Sequence, residues 1–316
     1  MRWLDRLLLL IATVVTVVSV LPFGARLSWA LELTTHFRGQ DLAVSAVLLL
    51  LLVLRRRFVG SAVLVAAAIV SAAPLLPYLP LPVGSKSANA AAGPPLKILS
   101  VNVSFLQFSS RRLLEIVREA DPDVVVVQEL TPHAERVLAD LDKSFTHYRK
   151  FPADGAYGIG LWSRLPLESS EMFALGRVPA IEARVRAPMG VFTIFGVHLR
   201  APTAPQRAAA RNLELRELAV RSAAVEEPLV VAGDFNVTPY SPYYGDWLEA
   251  SGLTDSRRGR TLSVSWPATF PWIGIPIDHV AVNDAFTILS HRRLPNFESD
   301  HYGVLVELAQ KGPESP

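Results

Sequence analysis

The sequence predicts an α/β protein of the α+β type: a four-layer α-β-β-α sandwich of two packed sheets, preceded by an N-terminal transmembrane helical region. The first observation is that roughly the first 80 of the 316 residues are dominated by Leu, Val and Ala, whereas the remainder resembles an ordinary globular sequence. The second is that short apolar runs outnumber helical patterns in that remainder. Helices interrupt the runs in only a few places, which favours two packed sheets over a doubly wound parallel sheet.

The composition narrows the classes of protein that fit. Half of the residues are hydrophobic, which is high for a soluble enzyme and indicates that part of the chain lies in lipid. The formal net charge is only +2, so the sequence gives no sign of the strongly basic face that is typical of nucleic-acid binding. Cysteine is absent, which excludes disulfides, thiolate metal sites and a cysteine nucleophile.

Three apolar segments, at residues 7–23, 42–54 and 58–76, are candidates for membrane-spanning helices. A span needs roughly 20 apolar residues, so the first and third qualify, and the second does so if residues 37–40 extend it. We therefore predict a membrane anchor with about three transmembrane helices at residues 1–80 and a Pro/Ala/Gly-rich linker at 81–96. A catalytic or binding domain follows at 97–310, and a flexible tail at 311–316.

The arginines predict which side of the membrane the domain occupies. Arg2 and Arg6 precede the first segment, and residues 55–57 are three arginines between the second and third. Positively charged loops stay in the cytoplasm, so both clusters are inside only if the second segment spans. The expectation is a multi-pass protein of the inner or plasma membrane with an extracytoplasmic domain, and the side reverses if the second segment does not span. A cleaved signal peptide ending near residues 28–30 is the competing interpretation.

Apolar runs and capping residues predict the elements of the domain. The residues at 124–127 form a continuous β-branched run, which is typical of a strand buried on both faces. The predicted strands are 97–103, 124–127, 159–162, 180–185, 191–197, 229–232, 277–282, 286–289 and 304–308. The predicted helices run from Ser109 or Ser110 to Ala120, from Thr131 or Pro132 to about Leu141, from 205 to 225, and from 241 to 251.

Acids, amides and histidines lie at the ends of these strands. Side chains at one edge of a sheet converge on a common cleft, as functional residues on a rigid scaffold often do. The residues in question are Asn102, Glu129, His198, Asp234, Asn236, Asp278, Asp300 and His301. His279 is left out, because the alternation of a strand turns it to the face opposite Asp278.

Six short motifs carry these residues in a characteristic order. They are Val101-Asn102-Val103, Gln128-Glu129, Val197-His198-Leu199, Gly233-Asp234-Phe235-Asn236, Ile277-Asp278-His279 and Ser299-Asp300-His301. The ordered set resembles the endonuclease/exonuclease/phosphatase superfamily, which includes DNase-I-like nucleases and neutral sphingomyelinases, and it extends from Lys97 to about Leu308. The membrane-plus-domain layout is similar to that of membrane-anchored bacterial members.

The resemblance implies a hydrolase that uses Mg²⁺, with Mn²⁺ as an alternative, on a phosphate ester. Glu129 would bind the metal, with Asn102 and Asp300 completing or supporting its shell. Asp234 would orient and deprotonate the attacking water, and Asn236 would donate an amide hydrogen to the phosphate. In the same scheme His198 and His301 would contact phosphate oxygens, one of them as a general acid, and Asp278 would fix the tautomer of His301.

The substrate class stays open at this stage. A membrane-anchored phosphoesterase would act on a phosphodiester or phosphomonoester, which could be a phospholipid, a lipid-linked phosphate, a nucleotide or a nucleic acid. The alternatives are a DNase-I-like nuclease, which would need a basic groove, and a non-catalytic binding or sensing protein on the same fold. The bilayer is the expected partner through the N-terminal helices, and no protein partner is predicted.

Several residues near the expected site have less certain roles. Glu32 and His36, between the first two apolar segments, are candidates for touching a substrate. Pro276 stands where related sequences often carry a basic residue, and Arg164 and Arg200 are the nearest alternative cations for a phosphate. The apolar segment 270–276 either contacts lipid or, as we favour, packs on its own domain. His133, His147 and His291 are expected at the surface.

Overall fold

The computed structural model describes residues 2–80, 94–106, 111–188 and 190–311. Two six-stranded sheets face each other with helices on their outer sides, and three long apolar helices form a bundle at the N-terminal end. This arrangement confirms the predicted sandwich of two packed sheets flanked by helices. We call the described residues up to 80 the bundle and those from 94 to 311 the sandwich.

The bundle contains helices α1 (Arg2–Val20), α2 (Trp29–Thr34), α3 (Arg38–Leu54) and α4 (Phe58–Ala72), with 3-10 turns at Leu21–Gly24, Thr35–Phe37 and Ala73–Tyr78. Within the part of the chain that the structure describes, three stretches are long and apolar enough to cross a membrane: Trp3–Gly24, Trp29–Leu54 and Phe58–Tyr78. The second begins at Trp29 rather than Leu42. Its polar residues Glu32, His36 and Arg38 interrupt the apolar pattern, but their side chains are buried, so the helical stretch continues through them.

The first sheet has the strand order β11-β12-β1-β2-β4-β3, and the second has the order β5-β6-β7-β8-β10-β9. Only β1–β2 and β7–β8 are parallel neighbours, and the other pairs in both sheets are antiparallel. The strands are β1 (Leu96–Asn102), β2 (Val124–Gln128), β3 (His147–Phe151), β4 (Ile159–Ser163), β5 (Leu167–Leu175), β6 (Val178–Ala187), β7 (Gly190–His198), β8 (Leu229–Asp234), β9 (Thr254–Asp255), β10 (Asp278–Val282), β11 (Phe286–Arg293) and β12 (Val304–Gln310).

Three of the described strands, β3, β5 and β9, are not predicted from the sequence, and some element boundaries differ from the predicted ones. Strands β3 and β5 are edge strands whose residues are mostly solvent-accessible, so they lack the apolar run by which a buried strand is recognised, and β9 has only two residues. Strand β1 begins at Leu96, inside the predicted linker, whose residues 81–93 lie outside the described ranges. Residues 312–316 of the predicted tail lie outside them too.

Helices cover the outer face of each sheet. The first sheet packs against α5 (Arg112–Ala120), α6 (Pro132–Val137) and α7 (Leu141–Ser144), and the second against α8 (Pro205–Ala223) and α9 (Pro242–Ser251). The helix predicted to run to Leu141 is therefore two short helices, and Thr131 caps the first through its hydroxyl. The cap predicted at Ser109 or Ser110 lies outside the described residues. Apolar side chains of both sheets interlock between them, among them Val126, Ile194 and Val280.

The strand register brings the polar residues to one edge of the sandwich. In the first sheet Asn102 is paired with Gln128, so Glu129 follows at the same end. In the second sheet Asp234 is paired with both His198 and Asp278. At Gly233 the backbone has φ +156°, and a Cβ there would lie 1.9 Å from the carbonyl oxygen of Val197, so only glycine fits before Asp234.

The bundle is attached to the sandwich through α2 and the turn that follows it. Glu32 of α2 forms a buried ion pair with Arg211 of α8, and its Oε1 accepts a hydrogen bond from Ser241 Oγ at 3.0 Å. Other polar contacts of this interface include Arg26 with Asp246, Trp29 with Pro202, His36 with Thr238, Gln40 with Gly274, and the N–H of Gly259 with the carbonyl oxygen of Pro77.

Candidate active site

A cleft of 640 Å³ opens at the edge where the polar strand ends converge. Six of the eight predicted site residues line it, and the other two, Asn102 and Asp278, lie buried beneath it in hydrogen-bond contact with the first group. The six lining residues are Glu129, His198, Asp234, Asn236, Asp300 and His301. The structure therefore brings all eight together.

Asp234 lies at the centre of this group. Its Oδ1 accepts a hydrogen bond from the backbone N–H of Asn236 at 2.8 Å, which is the geometry of an Asx turn. Its Oδ2 accepts one from Asn102 Nδ2 at 3.1 Å and lies 3.6 Å from His198 Nε2 and 3.9 Å from His301 Nε2. Burial and the neighbouring Asp278 carboxylate raise the pKa of Asp234 to about 6. One oxygen thus shapes the loop while the other faces the histidines.

His301 forms a buried pair with Asp278, whose Oδ2 lies 2.9 Å from His301 Nδ1. Burial alone would lower the pKa of His301, but the carboxylates of Asp278 and Asp234 raise it to about 10. Burial likewise raises the pKa of Asp278, yet the charge and hydrogen bond of His301 leave it below its usual value. At neutral pH the pair is imidazolium and carboxylate, and His301 presents its Nε2–H towards the cleft.

His198 has a different partner. Its Nδ1 lies 2.9 Å from the backbone carbonyl oxygen of Ala156, so Nδ1 carries the hydrogen and Nε2 faces the cleft. Burial lowers the pKa of His198, which keeps the ring neutral. Next to it, Asn236 donates from Nδ2 to the carbonyl oxygen of Leu199 at 2.9 Å, and the same nitrogen lies 3.3 Å from Asp234 Oδ2.

Glu129 and Asp300 are the acids best placed to bind a metal ion. Glu129 accepts hydrogen bonds from the Phe105 N–H at 2.7 Å and from Asn102 Nδ2 at 3.2 Å, and it has a left-handed backbone with φ 60°. Burial, with a smaller contribution from the Asp300 carboxylate, raises the pKa of Glu129. Asp300 accepts a hydrogen bond from Trp266 Nε1 at 3.0 Å through Oδ2.

The donor set fits a hard divalent cation. The second oxygen of Asp300, Oδ1, is buried and accepts no hydrogen bond from the described residues. Two mutually repelling carboxylates, one with an unsatisfied oxygen, suit a cation that prefers oxygen ligands. Ligand atoms of Asp234, Asp278 and His301 also lie within 4.8 Å of one another, but the last two are already paired with each other.

Asn102 supports these acids through its amide nitrogen. Its Oδ1 accepts a hydrogen bond from the Ser104 N–H at 2.9 Å, and its Nδ2 donates to both Glu129 and Asp234. Because the oxygen is engaged and an amide nitrogen does not bind Mg²⁺, the geometry makes Asn102 a bridge between the two carboxylates.

Three residues considered from the sequence, His279, His291 and Glu32, do not line the cleft. His279 faces away from the cleft, packs against Tyr244, and has Nε2 2.9 Å from the carbonyl oxygen of Val237. The expectation that His291 lies at the surface is wrong: its ring is 8% exposed and its Nδ1 lies 2.8 Å from Ser256 Oγ. Glu32 is buried against Arg211, which removes it from contact with a substrate.

The suggested phosphate-binding arginines are also placed differently. Arg164 pairs with Asp121 and follows β4 at the end opposite Glu129. Arg200 is bound to Glu214, with 3.2 Å between Nε and Oε1. The arginine among the described residues that line the cleft is Arg207, whose Nη2 donates to the hydroxyl of Tyr157 at 3.2 Å.

Residues of the bundle complete the cleft, and the sequence analysis found only one of them. His36 was a candidate, but Leu33 and Phe37 line the cleft as well. The spacing of the motifs gave no signal for these two, because they belong to an apolar stretch about 65 residues before the first site motif. The polar residues within that stretch, Glu32 and His36, were the available sign that it contacts protein rather than lipid.

Comparisons with known proteins agree with this geometry. The model of the Endonuclease/Exonuclease/phosphatase family matches residues 99–301. An endonuclease/exonuclease/phosphatase structure from Beutenbergia cavernae has 21% identity and a TM-score of 0.58, over 70% of this chain and 72% of that one. D. rerio TDP2 complexed with single strand DNA product has 18% identity and a TM-score of 0.56, over 68% and 98% of the two chains.

Sphingomyelinase C from Streptomyces griseocarneus has 16% identity and a TM-score of 0.50, over 68% of this chain and 99% of its own. Among curated proteins no significant match is found. At these identities the structural likeness shows a shared fold. The family model covers more than half of the chain, and its range includes all eight predicted site residues. The chain belongs to the endonuclease/exonuclease/phosphatase family, as its six motifs indicate.

Proposed function

We propose that this chain is a membrane-anchored, metal-dependent phosphoesterase that hydrolyses a phosphodiester or a phosphomonoester. One observation carries the proposal: the Asp234 carboxylate lies between a neutral and a cationic histidine, at 3.6 and 3.9 Å, in a cleft that also holds the acids Glu129 and Asp300. Phosphoester hydrolysis needs a group that activates water, positive charge for the phosphate and a metal site, and this cleft offers all three.

Asp234 is the proposed base. With a pKa raised to about 6, it is mostly ionised at neutral pH but more basic than an exposed aspartate, which suits a group that takes a proton from water. Its position is fixed by the Asn236 N–H and by Asn102. In the reaction, a P–O bond forms to the water oxygen, the P–O bond to the leaving oxygen breaks, and the water proton passes to Asp234.

The two histidines have different proposed roles because their charges differ. His301, held protonated by Asp278, contacts the phosphate oxygens through Nε2–H and is the donor that protonates the leaving oxygen. His198 is neutral, with its Nδ1–H bonded to Ala156, so its Nε2 orients water or a phosphate hydroxyl. Asn236 keeps one amide hydrogen on the carbonyl oxygen of Leu199, and the other, which points towards Asp234 Oδ2 at 3.3 Å, would turn to donate to the phosphate of a bound substrate.

Glu129 and Asp300 would hold a Mg²⁺ ion, with Mn²⁺ as an alternative, and Asn102 would keep Glu129 in place. A bound divalent cation supplies Lewis-acid stabilisation of the charge on the phosphoryl and leaving oxygens. The donor set supports this assignment, since it consists of hard oxygen atoms and includes the unpaired Oδ1 of Asp300.

Hydrolysis of bis-nitrophenyl phosphate and nitrophenyl phosphate by the full-length chain in detergent tests the proposal. We expect turnover that EDTA abolishes and Mg²⁺ restores, and a loss of about 10²–10⁴-fold in kcat for Asp234→Asn. Glu129→Gln should need more Mg²⁺ for half-maximal activity. The exposed Glu249→Gln and Asp284→Asn are matched controls and should behave as the wild type. Equal activity of the site variants and the wild type would refute the assignment.

A further inference from the structure

The bundle provides one wall of the candidate active site. Leu33, His36 and Phe37 line the same cleft as Asp234 and His301. They are held there by the buried ion pair of Glu32 with Arg211 and by the contact of His36 Nδ1 with the hydroxyl of Thr238 at 3.0 Å. The wall is thus a fixed part of the cleft, and it belongs to the end of the second candidate span, Trp29–Leu54, that contacts the sandwich.

This wall and the opposite rim are apolar. Phe37 has 46% of its surface exposed, and Phe105 across the cleft is similarly open. Ile275 and Ile277 lie deeper. A cleft of 640 Å³ is in the range of sites that enclose a whole small ligand, and is larger than a phosphate group requires. The polar cluster occupies one part, so apolar surface remains for the group that the phosphate is attached to.

The apolar side of the cleft adjoins the point at which the second candidate span leaves the sandwich. Phe37 is followed at once by α3, part of a stretch long and apolar enough to cross a membrane. Gln40 of α3 donates to the carbonyl oxygen of Gly274 at 2.7 Å and so holds the loop at residues 270–273 beside the helix.

That loop carries Phe270, Trp272 and Ile273, all of them exposed, with Trp272 at 73%. The sequence favours packing of this loop on its own domain. In the structure, however, its three large side chains are exposed to solvent. Exposed aromatic residues next to a spanning helix are typical of the membrane–water interface, where Trp is enriched. The exposed side chains of this loop beside α3 are therefore of the kind that suits a membrane–water interface.

We infer that the cleft takes an amphiphilic phosphate ester that stays in the bilayer, with its phosphate between Asp234 and His301 and the first part of its apolar chain along Leu33, Phe37 and Phe105. This inference rests on the proposed phosphoesterase function and narrows its substrate. Among the described residues lining the cleft, Arg207 is the sole arginine or lysine, so the lining lacks the row of cations that tracks a nucleic-acid backbone.

Glycerophospholipids and polyprenyl phosphates share this chemistry, and the experiment separates them. The full-length chain is reconstituted into phosphatidylcholine vesicles that contain phosphatidic acid, phosphatidylglycerol or a polyprenyl phosphate. Each is compared with its soluble counterpart: glycerol phosphate, glycerophosphoglycerol or a five-carbon prenyl phosphate. For at least one pair we expect kcat/KM to be about 50-fold higher for the long-chain ester, the effect of burying roughly three methylene groups.

Variants of the wall test whether the bundle causes this preference. Phe37→Ser and Leu33→Ser should each lower the long-chain preference about tenfold, mainly through KM, because each removes apolar contact with the chain. Phe37→Leu, which keeps an apolar side chain, should retain most of it. Leu27→Ser is the matched control: Leu27 is 84% exposed at the same end of the bundle but outside the cleft, so the preference should not change.

The possible outcomes separate the inference from the function on which it rests. If neither the nitrophenyl esters nor any of the six test esters is cleaved, the proposed function fails. If nitrophenyl esters are cleaved but no long-chain ester is preferred, the inference is overturned and the function stands. The same holds if the preference is unaffected by Phe37→Ser, since another surface would then select the chain.

Discussion

His198 and His301 face the same carboxylate oxygen, yet their surroundings give them opposite charges at neutral pH. Burial disfavours the charged form of both rings. His198 donates to a neutral carbonyl oxygen, so burial prevails and its pKa falls, whereas the Asp278 carboxylate reverses the effect at His301. Groups whose pKa values are pushed apart in this way identify acid and base roles at one site.

Asp278→Asn is the residue-scale test of this difference. The amide keeps the shape of the side chain but removes the charge that raises the pKa of His301 to about 10. Burial is then opposed only by the carboxylates of Asp234 and Asp300, so the pKa of His301 falls and the ring loses its proton at a lower pH than in the wild type. We expect kcat to fall about 10²-fold or more at pH 8, with partial recovery near pH 6.

The pH profile of kcat between pH 5.5 and 9 measures this effect. In the wild type His301 stays protonated below about pH 10, so its titration should cause no loss of activity between pH 6 and 8. The exposed Asp284→Asn serves as the matched control and should have the wild-type profile. A uniform loss in Asp278→Asn with no change in profile would indicate that Asp278 acts through packing alone.

The convergence of the eight candidate residues on one cleft could be predicted from the sequence, but their hydrogen-bond partners could not. Asn102, Glu129 and Asp234 each end an apolar run, which is visible without a structure. Whether Asn102 offers oxygen or nitrogen to the cleft depends on the turn after it, where Ser104 has φ 58° and donates to Asn102 Oδ1. Such a local backbone conformation has no signature in residue type, since serine rarely adopts it.

At the scale of elements, α2 links the bundle to the Asp234–Asn236 loop of the candidate active site. Arg211 pairs with Glu32 of α2 and, through Nη1, donates to the carbonyl oxygen of Asn236 at 2.7 Å. Both charged side chains are almost fully buried, and burial lowers the pKa of Arg211 while Glu32 opposes the shift. A buried pair of this kind contributes little net stability, but removing one partner is strongly destabilising.

Glu32→Gln should therefore lower the free energy of unfolding by about 3–5 kcal/mol, because it leaves the Arg211 charge buried without its partner. Urea or thermal unfolding of the full-length chain in detergent measures the loss. We expect kcat for nitrophenyl esters to fall as well, since Arg211 holds the carbonyl group of Asn236. Glu32→Gln combined with Arg211→Met should recover much of the stability, because neither charge of this pair is then buried.

Arg26→Met is the matched control for this experiment. Arg26 and Asp246 form an ion pair across the same interface at 2.7 Å, but both side chains are largely exposed. Exposed pairs contribute about 0–1 kcal/mol, so this change should have little effect. If Glu32→Gln were no more destabilising than Arg26→Met, the buried pair would not be what joins α2 to the sandwich.

The sequence predicted the central strands well and the edges of both sheets poorly. Strands such as β2 are apolar throughout because they are covered on both faces, whereas β3 and β5 are edge strands that keep many polar residues. The start of the second span was misplaced for a different reason. Glu32 looked like a loop residue because the partner that makes its burial tolerable, Arg211, lies 179 residues further along the chain.

At the scale of the whole molecule, the bundle has two chemically different ends. At one end Asp5 pairs with Arg57 at 2.5 Å and lies 3.9 Å from Arg55. At the other end Trp29 and Gln40 contact the sandwich. The arginine-rich end and the catalytic cleft are thus at opposite ends of three helices that are long enough to span. Because positively charged loops stay in the cytoplasm, we predict an extracytoplasmic cleft.

Single cysteines test this orientation, since the chain has no cysteine of its own. Glu249→Cys places a thiol on the exposed surface of α9, and Arg56→Cys places one at the arginine-rich end while leaving the neighbouring arginines intact. In right-side-out vesicles a membrane-impermeant maleimide should label Glu249→Cys at once, and Arg56→Cys only after permeabilisation. Inside-out vesicles should give the reverse. If the second apolar stretch does not span, the domain returns to the cytoplasm, and Arg56→Cys would be the thiol labelled from outside.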